Sequence, residues 1–306
     1  MTKTIALFRN GLGNFILYTP ALQALASMDE SGKVDICIDS EWNDYRRQSL
    51  IDMIKGCPFV ESLIDFPHGI EDKKYDRYFW TRHTFPSAAM EYFRAKENRL
   101  DVGGMNWMTS GIHEIDYYMN LVRERFGFTG ETPKQYVPKC DGSVLGEQTK
   151  PIITFCNGSY GHIAGSKKWP YFKDLIEIAK EYFNATTVKI GSNDELSDCK
   201  CDYDFVNKKN ITETAGIIQV SNLLVTTDTC NMHIGDALNV PMVVLWGGSV
   251  LSKNRPVNGN NIIVQTKPGC APCHDGNQYN SCSDYKCMNK ISIGQVMYAM
   301  RLMLEK

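Results

Sequence analysis

Nowhere does the chain stay apolar for the roughly 18 to 20 residues that a bilayer-spanning helix needs. Its first apolar run, Thr4 to Phe8, is too short for the core of a secretion signal, so the expected location is the cytoplasm. A strong charge of either sign is missing too. The formal net charge of -2 gives no global pull toward nucleic acid, so any anion recognition has to be local. Internal repeats, low-complexity tracts and coiled-coil heptads are absent. What remains is the composition of an ordinary globular protein, 43% hydrophobic and 22% charged. At 306 residues it is longer than one core comfortably fills, which predicts two domains of about 150 residues each.

The most informative stretch is 226–249, TTDTCNMHIGDALNVPMVVLWGGS. Apolar, β-branched residues from Asn222 to Thr227 predict a strand. Asp228-Thr229-Cys230-Asn231 then places capping side chains where the apolar spacing turns helical. Pro241 to Trp246 is a short apolar run of the kind buried on both faces of a parallel sheet, and Gly247-Gly248-Ser249 ends it with backbone that a ligand can approach. In open α/β sheets ligands bind beyond the carboxyl ends of the strands, where helix N-termini offer N–H groups to phosphate. A phosphorylated ligand is expected there.

The first half repeats this grammar. Lys3 to Arg9 predicts a strand, Asn10 to Asn14 a glycine loop, and Phe15 to Met28 a helix in which Thr19-Pro20 signals a kink or a late start. Strands follow at Val34–Asp39, Val60–Phe66 and Tyr75–Trp80, with helical stretches between them. Residues 46–99 are locally basic (Arg46, Arg47, Lys73, Lys74, Arg77, Arg82, Arg94, Lys96, Arg99) and interleaved with Tyr45, Tyr78, Phe79, Trp80, Tyr92 and Phe93. They read either as solvated helix faces or as a cleft for an acidic glycan. An amphipathic helix from His113 to Phe126 closes this domain, and the Pro- and Gly-containing segment 129–150 reads as a linker, with the boundary at 145.

The second half restarts with a strand at Pro151–Cys156, a helix from Pro170 to Phe183, a strand at Thr187–Gly191, a short one at Asp204–Asn207 and a helix from Ile211 to Val220 starting at Thr212 or just before. After the organising stretch come a strand at Asn261–Thr266, a cysteine-rich loop, and a final helix from Ile291 to Leu304. Of eleven cysteines only the last four form a pattern: Cys270, Cys273, Cys282 and Cys287, with His274 adjacent. Their types and first spacing suit a structural tetrahedral zinc; disulfides and reduced packing thiols are the other readings.

Four motifs in order, GLGNFILYTPALQAL at 11–25, KKWPYFKDLIEIA at 167–179, KIGSNDE at 189–195 and TDTCNMHIGDALNVPMVVLWG at 227–247, resemble glycosyltransferase family 9, whose members include the lipopolysaccharide heptosyltransferases. The resemblance implies an α/β GT-B architecture: two facing Rossmann-like domains with parallel sheets, an acceptor domain at 1–145 and a nucleotide-sugar donor domain at 146–306, with the final helix able to pack back on the first. It implies Lys167 at the donor diphosphate, Glu195 in the nucleotide pocket, and Asp228, Thr229 and His233 beside the diphosphate and sugar, with Gly13 and Cys230 lining the same site. A lysine and helix N–H groups are what a transferase without a catalytic metal needs to take up a leaving diphosphate.

Three positions depart from the family pattern. Asn14 stands where the family places an aspartate base, Cys230 where glycine is common, and Gly248 where proline is usual. An amide cannot accept a proton from the acceptor hydroxyl, so Asn14 is left to orient the acceptor while Asp228, His162, His233 or the acceptor itself serves as base. The implied function is metal-independent, inverting transfer of a sugar, heptose from ADP-heptose foremost, to a lipopolysaccharide or other surface-glycan acceptor. No cofactor beyond the nucleotide-sugar is required. The expected partners are that donor and an acidic glycan or glycolipid, at the inner membrane face, with no nucleic acid. The alternatives are a non-catalytic glycan- or nucleotide-binding protein and a nucleotide-sugar epimerase.

Overall fold

The computed structural model describes residues 2–39, 46–70, 74–81, 87–97, 111–138, 140–158, 167–192, 196–273 and 282–305. The chain divides into two compact units, Met1–Pro138 and Lys139–Lys306.

In the first unit β1 (Thr4–Phe8), β2 (Val34–Asp39), β3 (Val60–Phe66) and β4 (Arg77–Phe79) form a sheet in the order β3-β2-β1-β4, and the pairings are parallel. The central strand TIALF is buried along its whole length, as a strand covered on both faces has to be. Helices α1 (Leu12–Ser27), α2 (Arg46–Lys55), α3 (Ala88–Glu97) and α4 (Glu114–Phe126) surround it. Helix α1 packs on α4 through aromatic contacts such as Tyr18 on Tyr118, centroids 4.8 Å apart.

Helix α1 departs from the sequence expectation. It begins at Leu12 rather than after the glycine loop, and Pro20 lies inside it. Proline has no N–H for the carbonyl four residues earlier, which is that of Ile16. The Thr19 hydroxyl donates to that carbonyl at 2.7 Å and accepts from the Tyr136 N–H at 2.9 Å, so no backbone group is orphaned. The Thr19-Pro20 pair therefore marks neither a late start nor a stop.

In the second unit β5 (Ile152–Cys156), β6 (Thr186–Lys189), β7 (Tyr203–Asp204), β8 (Leu223–Thr227), β9 (Met242–Trp246) and β10 (Asn261–Gln265) form a parallel sheet in the order β10-β9-β8-β5-β6-β7. Strands β5, β8 and β9 are buried throughout. The connecting helices are α5 (Phe172–Tyr182), α6 (Ile211–Gln219), α7 (Cys230–Ala237), α8 (Leu251–Asn254), α9 (Lys286–Asn289) and α10 (Ile293–Leu304). The cap of α6 is Asn210, just before Thr212: its side chain accepts from the Glu213 N–H while Glu213 reaches back to the Asn210 N–H. Helix α10 packs on β9, β10 and α5, and its Val296, Met300 and Met303 join Trp169, Phe172 and Leu245 in one core. The 3-10 turn Ser143–Leu145 belongs to this unit, where Gly216 leaves room for the Asp141 carbonyl. No helix among the described residues is long and apolar enough to cross a membrane.

Candidate functional site

Strand β8 ends at Thr227 and α7 begins at Cys230, which places Asp228 and Thr229 in the turn between them. Asp228 is buried, and the Lys167 ammonium stands 2.7 Å from its carboxylate with only 16% of the lysine side chain exposed. Burial opposes ionisation of Asp228. The Lys167 charge and hydrogen bond, with Ser249 and His233 close by, outweigh that burial and hold the carboxyl below its ordinary value. Ser249, just beyond β9, is buried beside this pair, though its hydroxyl makes no bond of good geometry.

Thr229 occupies the N-cap of α7 in extended backbone, but its side chain makes no capping bond. The Met232 N–H donates to the Thr229 carbonyl at 3.2 Å, and with no side-chain cap the end of the helix keeps the arrangement that favours an anion at a helix N-terminus. His233 is buried one turn into the helix. Cys230 opens the helix, and burial, with Cys156 next to it, pushes its thiol up to about 12, so at neutral pH it is a neutral wall rather than a nucleophile. The Asn231 amide donates to the Cys156 sulfur at 2.9 Å.

Lys167 and Lys168 behave differently although they are neighbours: Lys167 turns to Asp228, and Lys168 is exposed. Trp169 is completely buried, and its indole N–H donates to the Ile291 carbonyl at 3.0 Å, so it is a packing residue. Asn157, unremarkable in the sequence, clamps this turn: its amide donates to the Trp169 carbonyl and accepts the Trp169 N–H, each at 2.9 Å. Lys189 is also buried, where it donates to the carbonyls of Leu196 and Cys199. It therefore braces the chain that follows the KIGSNDE motif. Glu195, His162 and His274 lie outside the described residues.

In the first unit Gly13 and Asn14 are part of the first turn of α1, not of a loop before it. Asn14 is half-buried, and its amide nitrogen is 2.9 Å from both carboxylate oxygens of Glu114. Several of the basic residues in 46–99 have structural partners: Arg47 pairs with Asp65, Arg77 donates to the Met28 carbonyl, and Lys96 lies over Tyr92. Lys73, Arg82, Arg99 and Tyr45 lie outside the described residues, as does the side chain of Arg46.

Cys270, Cys273, Cys282 and Cys287 carry no disulfide in the structure. Burial, then the neighbouring thiols of the set, push Cys273 and Cys287 up. Their sulfurs therefore sense one another, but among the described residues no group of three or more His, Cys, Asp or Glu is placed to hold a metal ion.

A model of glycosyltransferase family 9 (heptosyltransferase) matches residues 68–283. The chain belongs to that family. It is 21% identical over 245 residues to lipopolysaccharide heptosyltransferase 2 of Escherichia coli K12, covering 66% of this chain and 68% of the relative. Its fold is shared by a solved glycosyltransferase family 9 protein of Veillonella parvula, with TM-score 0.74, 20% identity and coverage of 99% and 97% of the two chains. The solved E. coli ADP-heptose lipopolysaccharide heptosyltransferase II gives TM-score 0.71, 16% identity and 99% coverage of both chains. The expected α/β fold of GT-B type, with parallel sheets, is thus the fold observed. As a family 9 member the protein is a glycosyltransferase.

Proposed function

We propose that this glycosyltransferase moves heptose from ADP-heptose to a hydroxyl of a lipopolysaccharide or other surface-glycan acceptor, by inverting displacement and without a catalytic metal. The observation that carries the reading is the buried Lys167–Asp228 pair at the uncapped N-terminus of α7. A diphosphate entering there meets an ammonium and first-turn N–H groups together. In the reaction the acceptor oxygen bonds to the anomeric carbon as the bond from that carbon to the diphosphate oxygen breaks. The electron pair leaves with the diphosphate, and the proton of the hydroxyl passes through solvent to the departing ADP. Lys167 turns from Asp228 toward the departing charge, while Thr229, Cys230 and His233 line the sugar and Glu195 the nucleoside. Gly13 lines the donor, and Asn14 faces the acceptor. The enzyme works in the cytoplasm, at the inner membrane face where a glycolipid acceptor is presented. Cysteines 270, 273, 282 and 287 are outside the chemistry, and a zinc held by them would be structural.

The test is incubation of the purified protein with ADP-heptose and a heptose-deficient lipopolysaccharide core, reading ADP release and the mass of the core. A core heavier by one heptose, with stoichiometric ADP, is the expected result. The amide at Asn14 favours one second reading, a binding protein on the same scaffold. Saturable binding of ADP-heptose with no change in either substrate would replace transfer by that reading. Conversion of the donor to an isomer in the absence of acceptor would make the protein an epimerase.

A further inference from the structure

The carboxylate missing from position 14 is present one layer deeper. Glu114 is completely buried, at the first residue of α4. A buried charge is a poor way to stabilise a helix contact, since an apolar residue of similar volume usually does as well or better. Yet this charge is well provided for. The Asn14 amide nitrogen stands 2.9 Å from Oε1 and 2.9 Å from Oε2, and the Tyr118 hydroxyl donates to Oε1. The first turn of a 13-residue helix adds the favourable end of its dipole. Both oxygens of Glu114 therefore act as acceptors, the role of a carboxylate.

An ionised carboxylate accepts hydrogen bonds and cannot donate them, so the neighbouring amide has to present its nitrogen to Glu114. The carbonyl oxygen of Asn14 is thereby fixed on the other side. There it faces Gly11: a Cβ built on Gly11 would stand 3.0 Å from Asn14 Oδ1. Glycine at 11 lets this oxygen stand there, because a Cβ would crowd it.

We infer that Glu114 is a positioning residue of the acceptor subsite, which locks the Asn14 amide so that Oδ1 is offered to the attacking hydroxyl of a sugar acceptor. The inference rests on the proposed function for the role of the first loop. It explains how an asparagine serves at this position: it receives a hydrogen bond from the acceptor in one fixed direction, without taking the proton. It also means that an aspartate at 14 would meet a second carboxylate at hydrogen-bond distance, so the two positions have to be exchanged together.

The experiment compares wild type, Glu114→Gln, Asn14→Asp and the exchange variant Asn14→Asp/Glu114→Gln. It uses thermal unfolding, and steady-state transfer with ADP-heptose and the heptose-deficient core, with KM taken for each substrate. Glu114→Gln should raise KM for the core roughly tenfold or more, the effect of losing a hydrogen bond to a charged group. KM for ADP-heptose should stay unchanged. Asn14→Asp should lower Tm through two carboxylates in contact, and the exchange variant should recover both Tm and transfer relative to Asn14→Asp. A Glu114→Gln enzyme with wild-type KM for the core, or one whose two KM values rise together, overturns the inference while leaving the transferase reading intact. So does an exchange variant whose Tm stays as low as that of Asn14→Asp. If wild type does not turn over ADP-heptose, the transferase reading is what fails. Calorimetric binding of the core then decides: weaker binding by Glu114→Gln than by wild type supports the inference, and equal binding or none overturns it.

Discussion

Lys167→Ala tests the donor site most directly. The lysine lies 2.7 Å from a buried carboxylate, so the substitution removes a charge-assisted hydrogen bond and leaves Asp228 uncompensated. Breaking such a pair costs about 3 to 5 kcal/mol if the carboxylate stays charged, and less if it takes up a proton. For an incoming diphosphate the loss is double: an ammonium is gone, and a bare carboxylate faces the phosphates. A hydrogen bond to a charged group contributes about 1.5 to 3 kcal/mol, so the Kd for ADP should rise roughly 10- to 100-fold. Lys168→Ala removes an exposed side chain and should change neither binding nor stability by more than about 0.5 kcal/mol. Calorimetric titration with ADP measures the first quantity and urea unfolding the second. Adding Asp228→Asn to Lys167→Ala should restore much of the stability, because no charge is then buried alone, without restoring ADP affinity. Wild-type ADP affinity in Lys167→Ala, or equal losses in the two lysine variants, would refute the argument.

Other consequences are as specific. Because the folded-state pKa of Asp228 is depressed, its contribution to stability is complete above the ordinary carboxylate value of about 4 and is lost as pH falls through the lower folded value. Urea unfolding of wild type against Asp228→Asn should show a constant difference from neutral pH down to about 4 and a shrinking one below; a difference that already shrinks between pH 7 and 5 contradicts the pairing. Thr19→Val keeps the side-chain shape but removes the hydroxyl from the Ile16 carbonyl and the Tyr136 N–H, at about 1 to 3 kcal/mol for the buried carbonyl. An unchanged Tm would show that Pro20 is tolerated for another reason. Chelator treatment should leave transfer to the core intact, whatever metal the C-terminal cysteines hold. Activity lost in folded, chelated protein and restored by a divalent cation would contradict a metal-free mechanism.

The strands were legible because burial on both faces leaves little choice of residue: Ile152–Cys156, Leu223–Thr227 and Met242–Trp246 are apolar runs of strand length bounded by polar turns. The start of α7 was legible from the polar residues that end β8, although Thr229 at the N-cap makes no capping bond. The start of α1 was not, because Gly11 caps it without a side chain and the residues that follow look like a loop. Nor does local sequence show that the Thr19 hydroxyl fills the gap left by Pro20, since its second partner is Tyr136. The start of α6 was legible to within a residue or two, and Glu213, three residues after Asn210, completes the capping box there. At the site, the motifs pointed to Lys167 and Asp228, while the residues that hold the site in shape escaped notice. Glu114 reaches Asn14 across a hundred positions of chain, and as a charge at the head of an amphipathic helix it reads as solvent-facing. For the same reason Asn14→Asp looks from sequence like the simple return of a base, whereas in the fold it brings two acids together.

Gly248 has a consequence for how this branch of the family can diverge. A Cβ at this position would stand 2.7 Å from the Cys273 sulfur, and the Cys273 N–H donates to the Gly248 carbonyl at 2.9 Å. The next residue, Ser249, is the one beside Asp228. Positions 248 and 273 are therefore in direct contact. A side chain at 248 requires the Cys273 thiol to turn to another rotamer or a smaller group to stand at 273. Substitutions at the two positions should be inherited as a pair, although the sequence separates them by the whole of β10.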